Sequence, residues 1–400
     1  MADSRYRVLV LASHPVQYQA PIFRLMAEHA ALDLTVAYCS LKGVERSLDR
    51  EFGVEVAWDV PLLDGYHYIH LGKPGGSRGR PARVPLRLQL EVWRLVRRGQ
   101  FDAIVMLTGY LCAAFWSTLM AARTIGTPVL FGTDATTLRP RDGKAWKALA
   151  KRLLLPHVFD LARIVTVPST GSVRFVEALG IPSPRIVMVP FAVDNAWWNA
   201  QAKRVDREAA RATWGIPADA SIVLFCGKLQ PWKRPGDVLH AFAMASVEGS
   251  HLMIVGEGPL RRRLEDDAEH LGLAGRVHFL GFLNQSGLPQ AYCASDILVL
   301  PSEYEPFGLV VNEAMLCSRP VIVSDRVGAR HDLVRHGETG FIYRCGDVEA
   351  LAATLRSALT APASVRALGE AARRRMDEWS PQDNVAAFVR AISLAVNRGR

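Results

Sequence analysis

The sequence holds few cysteines and uses none of them in a recognisable pattern. Cys39, Cys112, Cys226, Cys293, Cys317 and Cys345 are scattered singly through 400 residues. No C-x-x-C pair occurs and no histidine stands at ligand spacing, so neither a zinc site nor a disulfide framework is expected. Each cysteine lies in or beside an apolar run, as a small buried residue does, a usage that fits a cytosolic chain. Charge is also sparse. Charged residues make up 22% of the chain and hydrophobic ones 50%, a globular balance that argues against disorder. No nucleic-acid-binding module is present, and the aromatic residues are not interleaved with basic ones on a plausible strand platform, so nucleic acid is not an expected partner. The opening "MADSRYRVLV" runs directly into a strand-like stretch without the apolar core of a signal peptide. Residues 103–122 carry no charge and are long enough to span a bilayer. The better reading divides them: "FDAIVML" is a short β run, Gly109 breaks it, and 111–122 form a buried helix.

What the chain does have is a positive balance, +9 at neutral pH. Such a surface favours anions: nucleotides, phosphorylated sugars or anionic lipid. The length suggests about two or three domains. Short apolar runs alternate with helix-length segments throughout. The strand candidates are 6–13, 32–38, 102–107, 128–132, 164–169 and 185–190, then 221–227, 251–256, 277–281, 296–302 and 320–325. These runs are too apolar for half-exposed strands and fit buried parallel strands with helices between them. The pattern lapses over 195–220, which reads as a linker with a short helix. The expected fold is therefore α/β, two doubly wound Rossmann-like domains over 1–194 and 195–380, with a final helix at 381–400 free to pack on either. The Gly-, Pro- and Arg-rich stretch 72–85 reads as a surface loop. In 143–156, Lys144, Lys147 and Lys151 recur near helical spacing beside an apolar stripe. This is either an amphipathic helix for an anionic membrane surface or an ordinary exposed helix face.

In doubly wound sheets, ligands bind at the carboxyl ends of the strands, and several such ends carry candidate chemistry. After "VLFCG", Gly227 precedes Lys228, Lys233 and Arg234. Two lysines flanking a tight turn could grip a diphosphate; a solvated basic loop reads equally well. Gly256 and Gly258 in "GEGP" permit a close backbone approach to a ligand or simply make the turn. After "DILVLPS" comes "EYEPFGLVVNEAM". Glu305 falls in the loop, and Gly308 near the start of a helix that carries Glu313 about two turns on. Phe307, Gly308, Leu309 and Val310 would then present backbone amides at a helix start, a phosphate site. Carboxylates beside a phosphate repel it, so Glu305 and Glu313 would accept hydrogen bonds from hydroxyls on either side. Glu313 alone would also be favoured there by the helix dipole.

Taken together these elements resemble the retaining glycosyltransferases of family 4, which have the two-Rossmann GT-B fold. The E-x7-E element matches Glu305 to Glu313, the basic pair Lys228 and Lys233, the "VPxxVD" element "VPFAVD" at 189–194, and the "G…HGETGF" segment Gly328 with 336–341. The matching elements run from 186 to 345 in the right order and spacing. The resemblance implies a nucleotide-sugar donor, such as a UDP- or GDP-sugar, held by the C-terminal domain, and an acceptor held by the N-terminal one. Lys228 and Lys233 would neutralise the diphosphate, Glu305 would bind the transferred sugar with the 307–310 amides, and Glu313 the ribose. The turn 256–258 and the loop 281–284 would lie near the base. It also implies that no metal and no cofactor are needed, and no acidic D-x-D element in a loop speaks against this. Lys228 stands where arginine is commoner, and Ala329 where a second glycine is usual.

The first half matches in topology and departs locally. Thr133-Asp134 replaces the His-Asp pair many members carry. Asp134 reads either as a group for the donor sugar or acceptor, or as a helix cap. His14, in "SHPVQYQAP" after the first strand, reads as an acceptor-site or a structural residue. Gln17, Tyr18 and Gln19, with Gly109 and Tyr110 after another strand, are candidate acceptor contacts. A nucleotide-sugar epimerase or hydrolase on the same scaffold, or a binding protein that kept the fold, remains open on sequence alone. A dehydrogenase does not fit, because no G-x-G-x-x-G follows the first strand.

Overall fold

The computed structural model describes residues 5–71, 86–141 and 144–397; the loop expected at 72–85 lies outside them. Among the described residues fifteen strands are formed: β1 (Tyr6–Ala12), β2 (Leu32–Tyr38), β3 (Ser47–Asp49), β4 (Val54–Val56), β5 (Tyr68–His70), β6 (Ala103–Met106), β7 (Val129–Gly132), β8 (Ile164–Val167), β9 (Ile186–Met188), β10 (Ser221–Cys226), β11 (Ser250–Val255), β12 (Val277–Gly281), β13 (Ile297–Leu300), β14 (Val321–Ser324) and β15 (Gly340–Tyr343). Every apolar run named above overlaps one of them. A 7-stranded sheet has the order β5-β2-β1-β6-β7-β8-β9, and a 6-stranded sheet the order β12-β11-β10-β13-β14-β15. All neighbours in both sheets are parallel. Their central strands are buried on both faces, the condition that makes parallel strands read as continuous apolar runs.

The chain packs into two units. Unit 1 comprises Met1–Arg46, Pro61–Phe191 and Pro381–Arg400, and unit 2 comprises Ser47–Val60 and Ala192–Ser380. The last helix, Pro381–Asn397, lies on the 7-stranded sheet, where the buried Asn384 donates to the Pro190 carbonyl at 2.7 Å. The stretch 103–122 divides into β6 and the helix Ala113–Ile125, closed by Gly126 at φ 73°, but that helix is buried on one face only, with Trp116 and Met120 exposed. Among the described residues no helix is long and apolar enough to cross a membrane.

Two parts of unit 2 differ from the sequence reading. The lapse after 195, read as a linker with one short helix, forms two helices, Asn195–Arg204 and Arg207–Thr213, capped by Asp194 and Asp206 on the amides of Trp197, Glu208 and Ala209. They are held by tertiary contacts. Trp198 is fully buried with its ring edge-on to Tyr292, and the Arg211 guanidinium bonds the Ala294 carbonyl and Asp296. Residues 47–60, assigned on sequence to the first domain, form the antiparallel hairpin β3–β4 within unit 2. Side chains of Lys228, Phe282 and Asn284 hold it there.

Candidate active site

In unit 2 the candidate residues converge at the ends of β10, β11 and β13. Beyond β10 a short 3-10 turn, Pro231–Lys233, turns Lys233 toward the β13 loop, where its ammonium pairs with Glu305. The Ser302 hydroxyl donates to the same carboxylate at 3.4 Å. Lys228 lies instead among acidic groups of the hairpin. Its Nζ stands 2.7 Å from Glu51 Oε2 and 3.4 Å from Asp49 Oδ2. Both lysines therefore sit where an anionic group already resides, as cations placed for a diphosphate would.

The glycines after β11 serve the protein's own backbone. A Cβ on Gly256 would lie 1.9 Å from the Gly227 carbonyl oxygen, and one on Gly258 2.6 Å from that of Leu229. Gly256 has φ 133°, outside the range of ordinary residues. The amide of Leu229 in turn donates to the Glu257 carbonyl at 2.8 Å. The close approach seen at both glycines is to the protein's own 227–229 loop.

The loop 301–309 is pinned to the segment after β14. The Gly328 amide donates to the Glu305 carbonyl at 3.0 Å and the Ala329 amide to that of Phe307 at 2.9 Å. Gly308 takes φ 101°, and a Cβ there would meet Leu300, Glu305 and Val327 side chains at 3.0–3.3 Å. The Phe307 side chain is buried and stacks on Trp379, so only its backbone remains for a ligand. The helix that follows is Val310–Leu316. It begins later than expected, and Glu313 falls in its first turn, not two turns on. Its first internal bonds come from Val311 to Gly308 and from Glu313 to Leu309. The amides of Gly308, Leu309 and Val310 precede them and point out of the helix start.

Glu313 has a partner the sequence did not suggest. The fully buried Tyr292 donates to Glu313 Oε2 at 2.7 Å. Desolvation pushes the Glu313 carboxyl up to about 7, against the opposing pull of the Tyr292 hydroxyl. In the folded chain it therefore keeps its proton over a range, from about 4.5 to about 7, in which the unfolded chain has lost it. The folded state binds more protons there, so this group's contribution to stability falls as pH rises through that window and is flat above it. Relative to Glu313→Gln, the wild type should lose Tm between pH 5 and pH 8; parallel melting curves for the two proteins would contradict this.

Unit 1 brings part of its candidate set together. His14 lies at the end of β1 with Nδ1 2.9 Å from the Ser13 hydroxyl. Burial and the negative charge of Asp134 push the Tyr18 phenol up to about 12, and the Tyr18 ring packs on Phe191 at 5.7 Å. Tyr18 and Asp134 thus share one neighbourhood. No helix starts at Asp134, since the next, Ala145–Asp160, begins after Lys144, so the capping alternative falls. The Asp134 carbonyl is instead fixed by the Ser172 hydroxyl at 3.2 Å. Gln17 is half-buried beside Tyr18, and Gln19 precedes the helix Ala20–Glu28 without capping it by its side chain. A Cβ on Gly109 would meet nothing within 4 Å. The Tyr110 carbonyl accepts from Trp116 Nε1 at 2.8 Å, and burial raises the Tyr110 phenol. A depression of about 520 Å³ lies at the other ends of β7 and β8, lined by Arg123, Arg163 and Arg185. The Arg185 guanidinium there is committed to Asp160 and to the Phe159 and Ala162 carbonyls, and none of the candidate residues reaches this depression.

Two parallel doubly wound sheets carrying these strand-end loops define a GT-B fold. Solved structures of similar shape agree. HepE of Anabaena, solved with UDP and glucose, superposes with a TM-score of 0.74 over 97% of this chain and all of its own, at 19% identity. Sucrose-phosphate synthase of Thermosynechococcus elongatus gives 0.72 over 96% and 98% at 21% identity. Residues 206–375 match the family Glycosyl transferases group 1, and residues 3–192 match the Glycosyl transferase 4-like domain. Each of these two matches covers less than half of the chain, one in its C-terminal and one in its N-terminal part. It is 36% identical over 247 residues to the D-inositol 3-phosphate glycosyltransferase of Rhodococcus opacus, an alignment covering 60% of this chain and 54% of that protein. The chain thus spans about half the length of the curated relatives it matches.

Proposed function

We propose that this protein is a retaining glycosyltransferase that moves a sugar from a nucleoside diphosphate to an acceptor hydroxyl, without a metal or cofactor. The observation that carries the reading is the constellation after β13. Glu305 is oriented by Lys233 and Ser302, Glu313 by Tyr292, and the amides of Gly308, Leu309 and Val310 lie between the two carboxylates in sequence. A nucleotide sugar offers the matching order of groups: sugar hydroxyls, diphosphate, ribose hydroxyls. Lys228 and Lys233 neutralise the diphosphate as the anomeric C–O bond breaks, a task that fixed cations perform without a metal. Glu305 holds hydroxyls of the departing sugar and Glu313 those of the ribose. Neither is the covalent nucleophile. The acceptor oxygen attacks from the face the diphosphate leaves, and its proton passes to a diphosphate oxygen. In unit 1, His14, Gln17, Tyr18, Gly109, Tyr110 and Asp134 are the acceptor-side groups, with Asp134 and His14 the two able to carry a proton.

The UDP and glucose bound by HepE and the activity in the name of the Rhodococcus relative support a nucleotide-sugar substrate. Nothing observed favours an epimerase or hydrolase. Thermal melts with a panel of UDP- and GDP-sugars identify the donor, since a ligand at 100 times its Kd stabilises by about 2.7 kcal/mol. With that donor and a chelator present, nucleoside diphosphate should be released only when an acceptor is added. Equal release without acceptor would identify a hydrolase, and an isomerised donor an epimerase.

We place the reaction in the cytoplasm, against an anionic membrane face. The support is the helix Ala145–Asp160, where Trp146, Leu149 and Leu153 are 65%, 60% and 65% exposed among Lys147, Lys151 and Arg152. Apolar side chains beside cations suit a lipid headgroup region. The protein should sediment with vesicles containing phosphatidylglycerol and not with neutral ones. The triple change Trp146→Ala, Leu149→Ala and Leu153→Ala should abolish this; sedimentation unchanged by it would remove the membrane from the proposal.

A further inference from the structure

The hairpin segment 47–60 sits on groups assigned to the donor. It carries four carboxylates, Asp49, Glu51, Glu55 and Asp59, against one guanidinium, Arg50, in a chain whose overall balance is +9. Two of the four converge on one ammonium. Glu51 Oε2 is 2.7 Å from Lys228 Nζ, and both Asp49 oxygens are 3.4 Å away. The turn between the strands is shaped for this. Asp49 accepts from the amides of Glu51 and Phe52 at 2.8 and 3.1 Å, and Gly53 closes it at φ 76°. Phe52 then lies beneath the same ammonium, 4.8 Å from the ring centre.

The other end of the segment grips the loop after β12. Phe52 meets Phe282 edge-on at 5.1 Å, and Trp58 meets it at 6.2 Å. Asn284 Nδ2 donates to the Ala57 carbonyl at 2.7 Å, and the Ser286 amide and hydroxyl both donate to Asp59. Anionic groups thus stand on the diphosphate lysine and aromatic groups on the 281–286 loop. That is the order in which a nucleoside diphosphate presents its phosphates and its base.

We propose that residues 47–60 form a strap that mimics a nucleoside diphosphate and holds the donor site closed until donor displaces it. This rests on the donor reading of Lys228 given above. Two carboxylates and a diphosphate cannot share one ammonium without like-charge repulsion, so strap and donor exclude each other there. The measured affinity for donor is then the intrinsic affinity reduced by the fraction of molecules with the strap off. Weakening the strap raises that fraction.

The test titrates the full-length wild type and the double variant Asp49→Asn, Glu51→Gln with UDP and with GDP by calorimetry. The asparagine keeps a side-chain acceptor for the turn. The double variant should bind whichever nucleotide the wild type binds about tenfold more tightly. In the wild type, amide hydrogen exchange over 47–60 should speed up when that nucleotide is added. Equal or weaker binding by the variant, or slower exchange over 47–60 with nucleotide, would overturn the strap and leave the transferase reading standing. Binding of neither nucleotide by either protein would overturn both.

Discussion

Replacing Glu305 with alanine is expected to lower kcat for sugar transfer by about 10²–10³-fold. Nucleoside diphosphate should meanwhile bind as tightly as to the wild type, or more tightly. The two halves of this expectation have one cause. Glu305 is paired with Lys233 and bonded by Ser302, so it is fixed before any sugar arrives, and its bonds to sugar hydroxyls act on the group that moves. Losing bonds that strengthen as charge develops on that group lowers kcat and kcat/KM together. The same change strips Lys233 of its carboxylate partner and leaves the ammonium to the diphosphate alone, so nucleotide affinity has no reason to fall. Steady-state kinetics beside calorimetric titration of UDP or GDP measures both. Glu305→Gln, which keeps a carbonyl acceptor, should fall between wild type and alanine. Full turnover by the alanine variant would remove Glu305 from the mechanism.

The second large effect comes from close backbone packing at Gly328. Gly328→Ala should cost about 3 kcal/mol of stability and reduce transfer by about 10²-fold in the fraction that still folds. A Cβ at 328 would sit 1.8 Å from the Pro306 carbonyl oxygen, 2.6 Å from its carbon and 3.0 Å from Phe307 Cα. All three are backbone atoms and cannot rotate away. The loop carrying Glu305 must move outward, breaking the Gly328 and Ala329 amide bonds to Glu305 and Phe307. The neighbouring Ala329→Gly is the control. Its methyl is buried, so the change should cost about 1 kcal/mol while transfer persists. Chemical denaturation and kcat/KM for the two variants separate the cases. Equal behaviour of Gly328→Ala and Ala329→Gly would show that close backbone packing does not position Glu305.

The parallel strands were legible in the sequence because a strand buried on both faces needs apolar residues at every position, as in "AIVM" of β6 and "ILVL" of β13. β5 and β15 were not. β5 has three residues, too few for a pattern, and β15 follows directly on the glycine-rich "HGETG". The polar surface of 195–213 reads as a linker with one short helix, where two helices form. What holds them is the burial of Trp198 against Tyr292, a contact between residues far apart in the chain. Their caps, Asp194 and Asp206, were nonetheless visible as aspartates ahead of helix formers.

At the candidate site, spacing located the groups and could not tell what they touch. The Glu305-to-Glu313 interval marked the element. The partners Lys233, Ser302 and Tyr292 lie on other segments, and nothing local in "PQAYCASD" points Tyr292 at a carboxylate. The strap was the largest omission. Its strands have three residues each, and only its acidic and aromatic composition within a basic chain set it apart.

"EPFGLVVNE" could have been an acid/base pair acting on a substrate. Its carboxylates are held by Lys233, Ser302 and Tyr292, and on the function proposed above they clamp hydroxyls on either side of a phosphate taken by the 308–310 amides. The most direct test is a crystal structure of the protein with the nucleoside diphosphate it binds. The diphosphate should lie within hydrogen-bond reach of Lys228, Lys233 and the 308–310 amides, with ribose hydroxyls on Glu313. A nucleotide bound in unit 1, or one whose diphosphate lies away from both lysines, would contradict it.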